Sequence, residues 1–233
     1  MLKKFKNKKK RQSKRSIACK LITHLDSNTI VSEQFRTLRT NINFSMPDQE
    51  LKTILFTSAT PGEGKSTISA NTATVFAQQG KKVLLIDADM RKPTTHYTFN
   101  CQNTKGLSTL LSRQYEVNNV IQKTSIRNLD LITSGPIPPN PAELLGSKLM
   151  DQLIEQLSSQ YDMLLFDAPP VLSVTDAQIL SHKCQGTILV LNARKTEKES
   201  VLKAKSSLHS SQANIIGTVL NNFVVQNTYH YYR

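Results

Sequence analysis

Three short stretches of this chain carry residue types that together could bind and transfer phosphate. The first is Ala59-Thr60-Pro61-Gly62-Glu63-Gly64-Lys65-Ser66-Thr67, which follows the apolar run Thr53–Ser58 and precedes a stretch of helical pattern. Gly62 and Gly64 let the backbone turn its N–H groups inward around phosphate oxygens, and a helix start adds a favourable dipole. In such a loop Lys65 reaches the β- and γ-phosphates, the amides from Thr60 to Thr67 cradle them, and Ser66 ligates Mg²⁺. Ala59 stands where the motif usually has its first glycine. The second stretch, Asp87-Ala88-Asp89-Met90-Arg91, puts two carboxylates just past the end of an apolar run. The third, Asp167-Ala168-Pro169-Pro170, adds another. A lone aspartate there serves as readily as a helix cap or turn residue. Three on one ligand-binding edge favour metal and base roles, because a magnesium nucleotide takes oxygen ligands, often through water.

The elements that must position these residues are legible as alternation. Short apolar runs at Thr53–Ser58, Lys82–Asp87, Leu129–Thr133, Tyr161–Asp167, Thr187–Asn192 and Ile215–Asn221 are spaced by helical patterns at Thr67–Gln79, Pro141–Ser159, Asp176–Ser181 and Glu197–Ser211. Several runs are continuously apolar, as strands covered on both faces are. The pattern predicts an α/β, doubly wound, mostly parallel sheet of the P-loop NTPase kind, with the ligand at the C-terminal ends of its strands. A further helix is expected at about Ser32–Asn43, outside the alternation.

Composition narrows the class. With 38% apolar residues, 8 Gly and 9 Pro, the 233-residue chain is neither disordered throughout nor collagen-like. No apolar run is long enough for a membrane span, and the basic start lacks the apolar core of a secretory signal. Cys19, Cys101 and Cys184 are isolated, which argues against a zinc site or disulfide framework and for a cytoplasmic location. The net charge of +13 suggests nucleic acid until it is located. Residues 1–20 hold ten basic side chains and no acidic one, so 20 basic against 17 acidic residues, or +3, remain elsewhere. Few aromatics interleave these charges, which disfavours nucleic acid; a solvated arm or a tether to anionic lipid fits better.

The stretch from about Ser32 to Arg233 resembles the cytoplasmic catalytic domain of bacterial tyrosine kinases, P-loop proteins unrelated to the eukaryotic kinase fold. ATPGEGKS matches their Walker A motif, LLIDADMR their A′ motif and LLFDAPP their Walker B motif. The resemblance implies ATP and Mg²⁺ as cofactors, with Lys65 and the loop holding phosphates, Ser66, Asp89 and Asp167 serving the metal, and Asp87 accepting the tyrosine proton. Arg91 would steady the A′ loop or contact phosphate. Asn221 and Asn222 would approach the adenine or shape a turn.

Tyr229, Tyr231 and Tyr232 match the C-terminal tyrosine cluster on which these kinases autophosphorylate. Glu33, Arg36 and Arg39 match the family's ExxRxxR oligomerisation motif, and a spacing of three puts them along one helical stripe, equally consistent with a solvated face. Twelve residues beyond Asn221 span at most ~40 Å, enough to reach a neighbouring subunit. The implied organisation is a basic arm at 1–20, a kinase domain at 21–225 and a tyrosine tail at 226–233. The implied assembly is a ring of subunits, peripheral to the inner face of the membrane. A separate membrane activator of surface-polysaccharide synthesis would complete the nucleotide site with its cytoplasmic tail, and other proteins would supply further tyrosine substrates. Two rival readings share the fold: a partition or septum-site ATPase, which usually carries a signature lysine where this chain has Thr60, and an ATP-binding scaffold with little chemistry.

Overall fold

The computed structural model describes residues 21–26, 28–47 and 49–224, so the basic arm and the tyrosine cluster lie outside the described residues. Seven strands form one sheet: β1 (Thr53–Ser58), β2 (Val83–Asp87), β3 (Ile121–Lys123), β4 (Leu129–Ile132), β5 (Met163–Asp167), β6 (Gly186–Asn192) and β7 (Ile215–Asn221). Their spatial order is β3-β4-β2-β5-β1-β6-β7. All neighbours run parallel except β3 and β4. The expected doubly wound sheet is therefore present, with one strand more than the apolar runs suggested. Three half-exposed residues are too few for β3 to leave a periodic signal.

Burial explains the continuous apolar runs. Leu55, Leu84, Ile86, Leu164, Phe166 and Leu189 point into one core. Their alternate neighbours Ile54, Phe56, Val83, Leu85, Leu165 and Ile188 point into the other. Along the chain come helices α1 (Ile22–Leu25), α2 (Ile30–Phe44), α3 (Lys65–Gln78), α4 (Thr95–Thr98), α5 (Leu107–Leu111), α6 (Val117–Val120), α7 (Pro141–Gly146), α8 (Lys148–Ser158), α9 (Asp176–Lys183) and α10 (Lys198–Ser210). Residues of α5 and α7–α10 complete the first core, and those of α2 and α3 the second.

The single helix expected at Pro141–Ser159 is two. Gly146 ends α7, and Ser147 turns extended (ψ 155°) so that its hydroxyl accepts the Met150 N–H at 3.3 Å as the N-cap of α8. Helix α2 begins two residues earlier than expected because Thr29 caps it, accepting the Ser32 N–H at 3.2 Å. It lies over α3, whose Ile68–Ala77 segment is buried throughout.

From β1 the chain crosses by α3 to β2, and from β5 by α9 to β6, so the neighbouring strands β1 and β5 send their connections in opposite directions and over opposite faces. That reversal opens a crevice at the C-terminal strand ends. Register places Asp87 of β2 directly beside Asp167 of β5.

Candidate active site

The loop after β1 folds as its glycines require. Gly62 and Gly64 adopt φ of 81° and 97°, left-handed values that side chains resist. The first helical bond of α3 runs from the Ile68 N–H to the Gly64 carbonyl at 2.9 Å, which leaves the N–H groups of Lys65, Ser66 and Thr67 as first-turn donors. A Cβ on Gly64 would fall 2.1 Å from Asn221 Nδ2, so the close approach of β7 also demands glycine. Beside the loop is a cavity of about 410 Å³ lined by Gly62, Lys65, Asp89, Arg91, Pro169 and Pro170, among others.

Lys65 lies among the acidic residues. Its Nζ is 2.9 Å from Asp89 Oδ2, 3.4 Å from Asp167 Oδ1 and 3.3 Å from Ser66 Oγ. Burial opposes a charged amine there, but Asp167 and Asp89 outweigh it and hold the ammonium above the ordinary lysine range. Burial, then the Asp167 charge, pushes Asp87 up to about 7. Asp167 is also raised, chiefly by burial, with Lys65 opposing.

These carboxylates have different surroundings. Asp89 lines the cavity, and its Oδ1 accepts the Lys92 N–H at 3.0 Å. Asp87 is fully buried behind it and accepts N–H bonds from Asp89 at 3.2 Å and Thr95 at 3.1 Å. Oδ2 of Asp167 is buried with no hydrogen-bond partner. Among the described residues no three His, Cys, Asp or Glu side chains form a metal-holding group. A cation here would share its shell with phosphate and water, and Ser66 Oγ, Asp89 and the orphaned Asp167 oxygen fit that arrangement.

Other expected site residues brace the loop. Both donors of Thr60 go to Glu63: N–H to Oε2 at 3.0 Å and Oγ1 to Oε1 at 3.1 Å. The Glu63 side chain is thus turned into the protein, where Thr196 also donates to it. The Asn221 amide donates to the Glu63 carbonyl at 2.9 Å and packs on the loop backbone. Arg91 reaches the two oxygens of buried Asp176 with its Nε and Nη2, at 2.9 and 3.0 Å. Asp176 and Thr196 were not singled out by sequence. They lie 85 and 133 positions from their partners, and neither belongs to a motif.

On α2, Glu33 and Arg36 form an exposed ion pair. Arg39 instead turns inward and donates to the Val75 carbonyl of α3 at 3.0 Å. The three charges therefore do not present one uniform outward stripe.

Fold and site define a P-loop α/β domain with acidic residues gathered at the phosphate end. The profile of the AAA domain family matches residues 51–203. Tyrosine-protein kinase YwqD of Bacillus subtilis (strain 168) is 50% identical over 201 residues, covering 86% of this chain and 85% of the relative. The crystal structure of the chimerical protein CapA2B2 superposes with a TM-score of 0.85 at 43% identity, over 88% of this chain and 92% of that one. The cell division ATPase MinD of Pyrococcus furiosus superposes with a TM-score of 0.63 at 23% identity, over 72% of this chain and 71% of its own, a likeness of fold alone. The chain carries an AAA domain and belongs to the bacterial tyrosine-protein kinases. Among the described residues, no helix is long and apolar enough to cross a membrane.

Proposed function

We propose that this protein transfers the γ-phosphoryl group of ATP to tyrosine hydroxyls, on Tyr229, Tyr231 and Tyr232 of a neighbouring subunit and on other proteins. The observation that carries the reading is the placement of Lys65 among Asp87, Asp89 and Asp167 at the mouth of a correctly formed phosphate loop. One ammonium against three acidic side chains leaves the cluster short of positive charge, which the Mg²⁺ that accompanies a nucleotide would supply.

Lys65 leaves Asp89 and Asp167 for the β- and γ-phosphates, where with the loop amides it holds the triphosphate and absorbs developing charge. Ser66, Asp89 and Asp167 would hold Mg²⁺, directly or through water, and the cation would neutralise phosphate oxygens. The tyrosine oxygen attacks the γ-phosphorus, the bond to the β–γ bridging oxygen breaks and ADP leaves. A tyrosine hydroxyl is protonated at neutral pH, so its proton needs an acceptor. Asp87, raised to about 7, is matched to that task once Lys65 and the A′ loop move and expose it.

Assembly through Glu33 and Arg36 brings one subunit's tail to the next site, and accumulating phosphate charge loosens the ring. The protein works at the inner face of the membrane beside an activator that completes the nucleotide site, in control of surface polysaccharide. The basic arm adds attraction to anionic lipid.

Replacing Tyr229, Tyr231 and Tyr232 with Phe in the full chain should remove most self-labelling from labelled ATP and spare nucleotide binding. Undiminished labelling would place the acceptor elsewhere.

A further inference from the structure

Glu63 is an oddity in a phosphate loop: a buried carboxylate, 2% exposed, in a place built to receive anions. It forms no salt bridge among the described residues and is satisfied by hydrogen bonds alone. Two come from Thr60 at the start of the loop. The third comes from the hydroxyl of Thr196, between β6 and α10. Thr196 is itself oriented, since its Oγ1 accepts the Asn192 N–H at 2.8 Å and its own N–H donates to the Asn192 carbonyl at 2.9 Å. Its hydroxyl proton is therefore aimed at Glu63.

The same loop residue is gripped through its main chain. Asn221, at the end of β7, donates to the Glu63 carbonyl, and the Ala193 N–H donates to the Asn221 carbonyl at 2.9 Å. The ends of β6 and β7 are thus tied to each other and, by one bond each, to the two ends of Glu63.

We infer that Thr196 is a positioning residue for nucleotide binding: through Glu63 it holds the Thr60–Gly64 segment in the curvature that leaves the Gly62, Glu63 and Gly64 amides for phosphate. Without it, Glu63 loses one of three donors and its negative charge is free to swing toward the phosphates it now faces away from. Preorganisation of the loop, and so nucleotide affinity, should fall while the machinery of transfer stays intact. Nothing in the Walker motifs marks this residue.

The inference rests on the proposed nucleotide site, and titration of the full-length protein with Mg·ADP by calorimetry separates the two. Wild type should bind; no binding would overturn the functional reading itself. Thr196→Val, which keeps the shape and removes the hydroxyl, should bind about tenfold more weakly, the scale of one bond to a charged group. Thr196→Ser restores the donor and should recover most of the loss. In labelling assays Thr196→Val should raise the KM for ATP by a similar factor and leave kcat within about twofold. Wild-type affinity in Thr196→Val would overturn the inference. So would equal loss in the Val and Ser variants, or a loss that tracks a fall in Tm, since each would mean a structural role only.

Discussion

Two polar clusters sit at opposite ends of the same parallel strands, and they are built on different principles. Where β4 and β5 begin, Asp130 Oδ2 accepts from the Tyr161 hydroxyl and from Lys123 Nζ, both at 2.8 Å, while Lys82 Nζ lies 4.7 Å from the Tyr161 ring centre. The Asp130 carboxylate meets one ammonium and one hydroxyl, so its own charge is answered within the cluster, with Lys82 resting on the ring face. At the opposite ends, Asp87, Asp89 and Asp167 share Lys65, and an oxygen of Asp167 has no partner. A balanced cluster stabilises the fold and has no use for a ligand. An unbalanced one is tolerated because burial raises the pKa of Asp87 and Asp167, and under the proposed function a bound Mg²⁺ would answer the rest of the surplus.

The largest expected effect comes from removing the shared cation. Lys65→Met should lower phosphoryl transfer by at least about a hundredfold, measured as labelled phosphotyrosine, because the triphosphate loses its only lysine contact in the loop. Persistence of near wild-type labelling would dissolve the distinction between the two clusters.

The next effect is on pH. Asp87 titrates near 7 when folded but at about 4 when unfolded. Between those values the folded chain keeps a proton that the unfolded chain has lost, so the contribution of Asp87 to stability falls as pH rises from about 4 to about 7. Asp87→Asn removes that dependence. The Tm of the variant relative to wild type should therefore climb by about 3 °C or more across the window, whatever its offset at pH 4. A constant difference would show that Asp87 is not held in this way.

The smallest effect belongs to the balanced end. Tyr161→Phe should cost about 1–2 kcal/mol of stability in denaturant unfolding, the worth of a buried bond to a carboxylate. Mg·ADP affinity should be unchanged. A change in affinity would show that the two ends are coupled.

The unbalanced end was also the more legible in sequence. Lys65, Ser66 and the two glycines occupy one contiguous loop whose strand and helix are each marked by apolar pattern, and the three aspartates are strand-end residues of the same kind. Local order fixes such features, so they can be read without the fold. Tyr161, Asp130 and Lys123 carry no spacing rule, because they meet only when β3, β4 and β5 align. Arg91–Asp176 and Glu63–Thr196 were hidden for the same reason. Sequence could assign Glu63 to the nucleotide loop but not the direction of its side chain, which depends on a hydroxyl in a distant turn. The division at Ser147 was obscured by the apolar pattern continuing through Gly146.

The central claim is that this charge-deficient site phosphorylates tyrosine. Incubation of the full-length protein with Mg²⁺ and γ-labelled ATP, with and without the cytoplasmic tail of the proposed membrane activator, tests it by following labelled phosphotyrosine and free phosphate together. The account predicts label on tyrosine, increased by the partner tail and absent in Lys65→Met. Release of free phosphate with no phosphotyrosine under either condition would contradict it and identify an ATPase of the partition type.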